Sequence, residues 1–274
     1  MTPVLFLAAV ALAAAAAAAD PHAAQLSPAG DAASLAPFPP LALSHCTIPR
    51  HPGTLTLAAF RADYKGRGPV IFTPSASGDA ARAALSREAL LAAYGHLPVT
   101  LASANSNSYA KRASTLAAYL AEHLAPVPAH AAADRLWYLF GDTLATPEWA
   151  PLHAAFALPL DAAADDPVVA WGIGGLHSGV PFHRHGAVYA ESVLGAKRWW
   201  LAPPGAAPAF DGNATQLSYA LARGQAGGEA SGVLACTVAQ GEAIYIPAQW
   251  WHATLNLNAY TAFTSAFVRE REQA

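Results

Sequence analysis

The sequence predicts a mainly β protein: a barrel or two-sheet jelly roll in its C-terminal part, with N-terminal helices and strands flanking the barrel. Two observations carry this. Beyond about residue 167 the helical periodicity gives out, and eight short runs rich in β-branched and aromatic residues follow, at 168–173, 181–185, 189–194, 198–201, 233–238, 243–246, 252–257 and 260–267. Gly, Pro or Asn separates them, and that many short strands suits a closed barrel or two packed sheets. Before residue 167 the apolar spacing alternates between helix and strand, the mark of an α/β elaboration. The 274 residues are ample for one such domain with a buried core.

The chain opens on "MTPVLFLAAVALAAAAAAAD". The apolar run 4–19 is short for a membrane span and ends in Ala-x-Ala, which a signal peptidase can cut. Residues 1–19 therefore read as a secretory signal peptide, with an uncleaved anchor as the alternative. No later run is apolar for long enough to span a bilayer, so no membrane span is expected after cleavage. Residues 20–44, rich in Ala, Pro and Ser and without period, read as a flexible linker. A single domain is expected over 45–270, divided into an α/β elaboration at 46–166 and a β core at 167–268.

Within the elaboration, 54–64 has helical spacing through Leu57, Phe60 and Tyr64, and "PVIF" at 69–72 reads as a short buried strand. Residues 79–94 read as one helix, capped by Asp79 and ended by Gly95. A strand is expected at 98–102, a helix at 114–124 stopped before Pro126, and a strand at 135–140, "RLWYLF". In the second part, 203–232 is a long Gly- and Ala-rich excursion with one short helix expected at 215–222.

Composition excludes several function classes. Hydrophobic residues make up 54% and charged residues 12%, much of the imbalance being alanine, and the net charge is -3. With 15 Lys and Arg and no basic stripe, no nucleic-acid partner is expected. "WGIGGLHSG" at 171–179 is no dinucleotide fingerprint, because another strand follows where a helix must begin; its glycines are expected to bend a strand at a barrel corner. No G-x-S-x-G elbow for a serine hydrolase occurs.

Two features agree with a secretory route. Asn213-Ala214-Thr215 is an N-glycosylation sequon in a loop. The two cysteines, Cys46 and Cys236, each precede Thr and a β-branched residue and so look strand-borne. In an oxidising lumen they form a disulfide; the other reading is two buried free thiols.

The chemistry concentrates in "GVPFHRHGAVYAE", 179–191. Side chains alternate along a strand, so His183 and His185 project to one face and Phe182 and Arg184 to the other. Two imidazoles so placed can share a metal ion if a neighbouring strand supplies a third ligand. "GEAIYIPAQWWHATLN" offers one: Gly241 and Pro247 bracket a strand, Trp250 and Trp251 turn the chain, and His252 opens the next strand.

The segment from Gly179 to Val268 resembles the Jumonji C (JmjC) domain of the cupin superfamily, at "GVPFHRH", "GAKRWWLAPP" and "GEAIYIPAQWWHATLN". Within it the chain is similar to the JmjC domain-containing protein 8 type, also upstream at "CTI", "PVIF" and Phe140-Gly141-Asp142, so that the likeness covers most of 46–268. The resemblance implies a double-stranded β-helix with flanking helices and, for this type, a lumenal address, most simply the endoplasmic reticulum. The C-terminal "VREREQA" is not a Lys-Asp-Glu-Leu type retrieval signal, which leaves secretion as the alternative.

Active JmjC oxygenases carry His-x-Asp/Glu and a distal His on Fe(II), with a Lys that holds the far carboxylate of 2-oxoglutarate. His183 and His252 match the two histidines and Lys197 the lysine, while His185 stands where the carboxylate is usual. The change removes one negative charge, although imidazole still suits iron. Many cupins follow His-x-His with a Glu, so the resemblance also implies Glu191 as a fourth ligand if a bulge at Gly186 corrects its register; the other reading is a solvated strand residue. Lys197 on a plain strand reads as an exposed end with its stem over the tryptophans; inside a barrel its ammonium needs an anion. Trp199, Trp200, Trp250 and Trp251 read as core and rim packing in preference to a cation-binding cage. Two functions follow: a lumenal JmjC protein with weak or absent oxygenase activity that acts by binding protein partners, or an Fe(II)/2-oxoglutarate-dependent dioxygenase using a three-His site.

Overall fold

The computed structural model describes residues 18–19, 45–126, 131–141, 146–226 and 228–268. The signal peptide and linker expected over 1–44 fall almost wholly outside the described residues, as does Asp142. The eight runs expected beyond residue 167 are eight strands: β8 (Val168–Gly174), β9 (Gly179–His183), β10 (Ala187–Leu194), β11 (Lys197–Ala202), β12 (Leu234–Val238), β13 (Ala243–Ile246), β14 (Trp251–Asn256) and β15 (Thr261–Val268). They form two facing sheets, β13-β10-β15-β8 and β12-β11-β14-β9, every neighbouring pair antiparallel. This is the jelly roll of a double-stranded β-helix. Alternation fills it: Val188, Ala190, Ile244 and Ile246 from one sheet meet Trp199, Leu201, Cys236 and Val238 from the other in one apolar cluster.

The larger sheet continues at both edges into nine strands, with β3 (Arg50–Thr54) and β4 (Val70–Thr73) beyond β13, and β7 (Trp137–Phe140), β5 (Pro98–Ser103) and β6 (Lys111–Thr115) beyond β8. Helices α1 (Leu57–Asp63), α2 (Gly78–Ala84), α3 (Arg87–Tyr94), α4 (Leu116–Glu122) and α5 (Ala150–His153) belong to the N-terminal part, and α6 (Gln216–Gln225) covers the smaller sheet. The packing of α2, α3 and α4 buries Leu85, Leu90, Leu116 and Leu120 against Leu101, Leu139 and Ile173 of the sheet. Among the described residues no helix is long and apolar enough to cross a membrane.

Three local expectations are corrected. The helix expected over 79–94 is two, because Ser86 is extended and its hydroxyl accepts from the Ala89 N–H (3.3 Å), starting α3 afresh; Asp79 lies in the first turn of α2 and is not its cap. The helix expected from 114 begins at Leu116, because Lys111–Thr115 pairs with β5 and Thr115 then caps α4, accepting from the Ala118 N–H (3.2 Å). The glycines of "WGIGG" serve close packing and do not bend a corner: a Cβ on Gly172, inside β8, would stand 2.6 Å from the Phe263 ring and 2.8 Å from the Leu139 carbonyl oxygen.

Cys46, on the two-residue strand β2 (His45–Cys46), is disulfide-bonded to Cys236 of β12 across a sequence separation of 190. Thr47 continues the seam, its N–H donating to the Ala235 carbonyl (2.8 Å) and its hydroxyl accepting from the Ala235 N–H (2.8 Å). A loop of that length gives a chain-entropy contribution of up to about 5 kcal/mol. The unreduced protein is therefore expected to show no alkylatable thiol by intact mass. Reduction is expected to lower its melting temperature by well over 5 °C, roughly, as several kcal/mol requires; two free thiols, or an unchanged melting temperature, would contradict this.

Candidate metal centre

The site begins with a strand register. β9 pairs antiparallel with β14 so that His183 stands opposite His252, with a register irregularity before Thr254 pairs with Val180. Gly179 permits the approach: a Cβ there would lie 1.9 Å from the Thr254 carbonyl oxygen. His185 follows the end of β9, and its carbonyl accepts from the Gln249 N–H (2.8 Å). Gln249 has φ 64, the left-handed turn that brings the chain round from Pro247 to His252. One backbone hydrogen bond thus ties the His185 segment to the turn that launches His252.

The three imidazoles converge, with candidate ligand nitrogens all within 4.8 Å of one another. Each ring is oriented through Nδ1 by a main-chain carbonyl: His183 by Pro181 O (2.9 Å), His185 by Gly186 O (2.8 Å) and His252 by Trp250 O (2.9 Å). A carbonyl only accepts, so each Nδ1 carries the proton and each Nε2 a lone pair. The Nε2 atoms of His185 and His252 stand 2.9 Å apart. Two lone pairs facing at that distance repel unless a cation lies between them. Two imidazoles bound at right angles to one ion, at about 2.1 Å each, also stand about 3 Å apart. Burial holds all three histidines below their ordinary range, His183 at about 4, so they are neutral and ready as ligands at pH 7. The donor set fits a divalent first-row metal.

A cavity of about 340 Å³ opens beside them, lined by all three histidines together with Lys197, Trp199 and Asn256. Lys197, Trp199 and Leu201 alternate inward along β11, and Lys197 pairs in register with Asn256 of β14. The Lys197 side chain is buried, with Nζ 3.2 Å from the Phe263 ring centroid and 5.8 Å from that of Trp199. Among the described residues no carboxylate pairs with it, and burial lowers its pKa to about 7. A buried ammonium in a cavity with only ring faces for company fits an anionic ligand. The exposed strand end considered for Lys197 is therefore overturned. Arg198 is equally buried on the opposite face, 3.9 Å from Glu229.

Glu191 is not near the histidines. β10 pairs with β15 without interruption from Ala187 to Ser192, and its irregularity falls between Ser192 and Leu194, so Gly186 makes no bulge that would turn Glu191 inward. Val188 and Ala190 face the barrel interior; Glu191 faces the other way, where its carboxylate oxygens accept from the Ser77 N–H (3.2 Å each). It is neither a fourth ligand nor a solvated strand residue, and burial raises its pKa. The tryptophans do not form a cage: Trp199 faces the cavity, Trp200 faces away and donates to Glu229 (2.9 Å), and Trp251 lies under the Arg184 guanidinium at 5.0 Å. Asn213 is exposed in the turn before α6, while Thr215 of its sequon is buried as the helix cap, accepting from the Ser218 N–H (3.1 Å). Trp199 and Asn256 were not singled out in the sequence as cavity residues. Period-two counting from Lys197 and from His252 would have found both.

No family model matches the chain. It is similar to JmjC domain-containing protein 8 of Rattus norvegicus, 38% identical over 224 residues, which covers 81% of this chain and 82% of that protein. The protein of the same name from Homo sapiens is also 38% identical, over 81% of this chain and 84% of its own length. Among solved structures it is similar to YcfD, a ribosomal oxygenase from Escherichia coli, with a TM-score of 0.50 and 16% identity over 80% of this chain and 53% of that one. The chain thus spans about half of that protein and shares its fold.

The close approach at Gly179 yields a test. Gly179→Ala is expected to force β9 away from β14 and cost at least about 2 kcal/mol of stability, as overpacking against a backbone does. Whatever folds should also bind cobalt(II) more weakly, read from its visible absorption. Unchanged stability and cobalt affinity would show that this register does not position His183 against His252.

Proposed function

The chain belongs to the JmjC domain-containing protein 8 family, and from that premise we propose that it is a metal- and 2-oxoglutarate-binding JmjC protein of the secretory pathway with weak or absent oxygenase turnover, acting through protein partners. One observation carries the reading: the three ligand nitrogens converge beside a cavity that holds a buried lysine with no carboxylate partner among the described residues, yet the donor set contains no carboxylate. His183, His185 and His252 would hold Fe(II) through Nε2, and Lys197 would hold the far carboxylate of 2-oxoglutarate. Fe(II) so held supplies oxygen activation coupled to breakdown of 2-oxoglutarate to succinate.

The chain's own contribution is to fix tautomers through three main-chain carbonyls, to keep Lys197 away from competing carboxylates, and to shield the site with Trp199 and Phe267, whose ring packs edge-on to His185 at 5.0 Å. The neutral His185 leaves the ion more electron-poor than an anionic donor would, which disfavours oxidation of the metal and supports slow turnover. The signal-like 1–19, the Asn213 sequon and the Cys46–Cys236 disulfide support lumenal residence in the endoplasmic reticulum. A second reading, an active protein hydroxylase, is favoured by the 340 Å³ left open beside the histidines.

The test is anaerobic loading with Fe(II) and 2-oxoglutarate, followed by exposure to oxygen. About one metal per chain is expected, lost in His183→Ala, with little succinate above that control. His185→Asp, which returns an anionic donor, is expected to raise succinate formation by about tenfold or more, the scale on which ligand-sphere changes act. Robust succinate formation by the native protein would establish the hydroxylase reading instead, and absence of stoichiometric metal would end both.

A further inference from the structure

The two sulfurs of the Cys46–Cys236 disulfide lie in unlike surroundings. Cys236, in the middle of β12, is buried, whereas Cys46 is half-buried on β2, beside the exposed His45. The ladder partner of β2 is β1 (Ala18–Ala19), which is also two residues long. The buried sulfur has a cation against it. Arg50 of β3 brings Nη2 to 3.6 Å from Cys236 Sγ, and the same nitrogen donates to the Thr237 carbonyl (3.1 Å). Nη1 of Arg50 pairs with Glu242 Oε1, and Glu242 Oε2 accepts from the Ala239 N–H (2.8 Å). Arg50 does not depend on the disulfide for its place, because β3 pairs with β4 there, Arg50 opposite Ile71. Thiol–disulfide exchange needs a sulfur that can be reached and a thiolate that leaves readily. Cys46 offers the first, and Cys236, against a guanidinium that donates to it, offers the second.

We propose that the Cys46–Cys236 bond is a redox-sensitive latch, opened on the folded protein by a dithiol reductant. One thiolate of the reductant attacks Cys46 Sγ, the S–S bond breaks, and its electron pair leaves on Cys236 Sγ against the Arg50 guanidinium. The reductant's second thiolate then attacks the reductant sulfur of the mixed disulfide and displaces Cys46. The two cysteines take up the two protons that the dithiol loses. The protein disulfide is reduced by two electrons, and the dithiol is oxidised to a disulfide. Opening frees the segment 45–48 first, because the chain is held again at Pro49, whose carbonyl accepts from the Ile71 N–H (2.8 Å). The barrel wall loosens with it: Cys236 stands in register with Trp199, which lines the cavity. The latch is independent of what the histidines bind.

The experiment incubates the full chain with dithiothreitol at neutral pH, quenches with a maleimide and reads free thiols by intact mass. The rate of reduction is expected to rise in proportion to dithiothreitol and to be unchanged by urea below the unfolding transition. With glutathione, a monothiol, the first adduct is expected on Cys46, with Cys236 as the alkylated thiol, by peptide mapping. Hydrogen exchange of the reduced protein should quicken in 45–48 and in β12 while β4 and β10 stay protected. Arg50→Gln combined with Glu242→Gln removes both charges together and should slow reduction about threefold or more, since the acidity of the leaving thiol helps to set the rate. A merely structural role for Arg50 predicts the opposite, faster reduction through a looser fold. Reduction that plateaus at the rate of global unfolding, an adduct on Cys236, or exchange unchanged in 45–48 overturns the proposal. So does a double variant that melts as a folded protein and is reduced as fast as the native one. If that variant does not fold, the native measurements decide.

Discussion

β14 is the strand on which the rest of the site depends. Its one edge pairs with β9 and sets His252 opposite His183; its other edge pairs with β11 and sets Asn256 opposite Lys197. A pairing register fixes which residues share a face, so a single strand aligns the histidine end and the lysine end of one cavity. That alignment is possible because Gly179 lets β9 lie against the Thr254 carbonyl, where any side chain would collide. The chain has no separate device for placing Lys197. It follows from the same ladder that places the histidines.

The orientation of the imidazoles is equally a backbone matter. Carboxylates often orient metal-bound histidines, and they would add negative charge and basicity. Here main-chain carbonyls do it, at 2.8 to 2.9 Å. Two come from the residue two positions before the ring they hold, Pro181 for His183 and Trp250 for His252, and the third from the residue after, Gly186 for His185. The rings are thus fixed by the conformation of their own segments, and among the described residues no acidic side chain lines the cavity to do the work. The electropositive character of the site is a consequence of how the tautomers are set as much as of His185 itself.

Strand periodicity made much of this legible in the sequence. A period of two places His183 and His185 together and predicts the eight strands, because jelly-roll strands are short and bounded by turn residues. The signal fails where a decision is not local. Whether Glu191 faces the histidines depends on whether β10 carries a bulge at Gly186 or past Ser192, and the pairing with β15 decides that. The break at Ser86 was hidden because helical apolar spacing runs through it. β6 was hidden because its polar residues, "KRAST", lack the usual apolar alternation and only pairing with β5 makes them a strand. The glycines of β8 looked like corner residues because a glycine needed for a turn and one needed for close packing are the same letter.

The packing behind the cavity explains why a lysine with no carboxylate partner among the described residues can persist there. Trp199 stands in register with Cys236, and Cys236 is bonded to Cys46, so the wall on which Lys197 rests is tied to the segment that closes the barrel's side. Ile48 and Ile71 fill the same cluster from the N-terminal part. A loosely packed wall would collapse onto the ammonium or let a neighbouring carbonyl swing in to solvate it, and the cavity would close. A covalently braced wall of large apolar side chains resists both, at the cost of leaving Lys197 only the ring faces of Phe263 and Trp199. The N-terminal elaboration is therefore part of the cavity's construction: it braces the wall on which Lys197 lies, the preorganisation that the proposed anion binding would require.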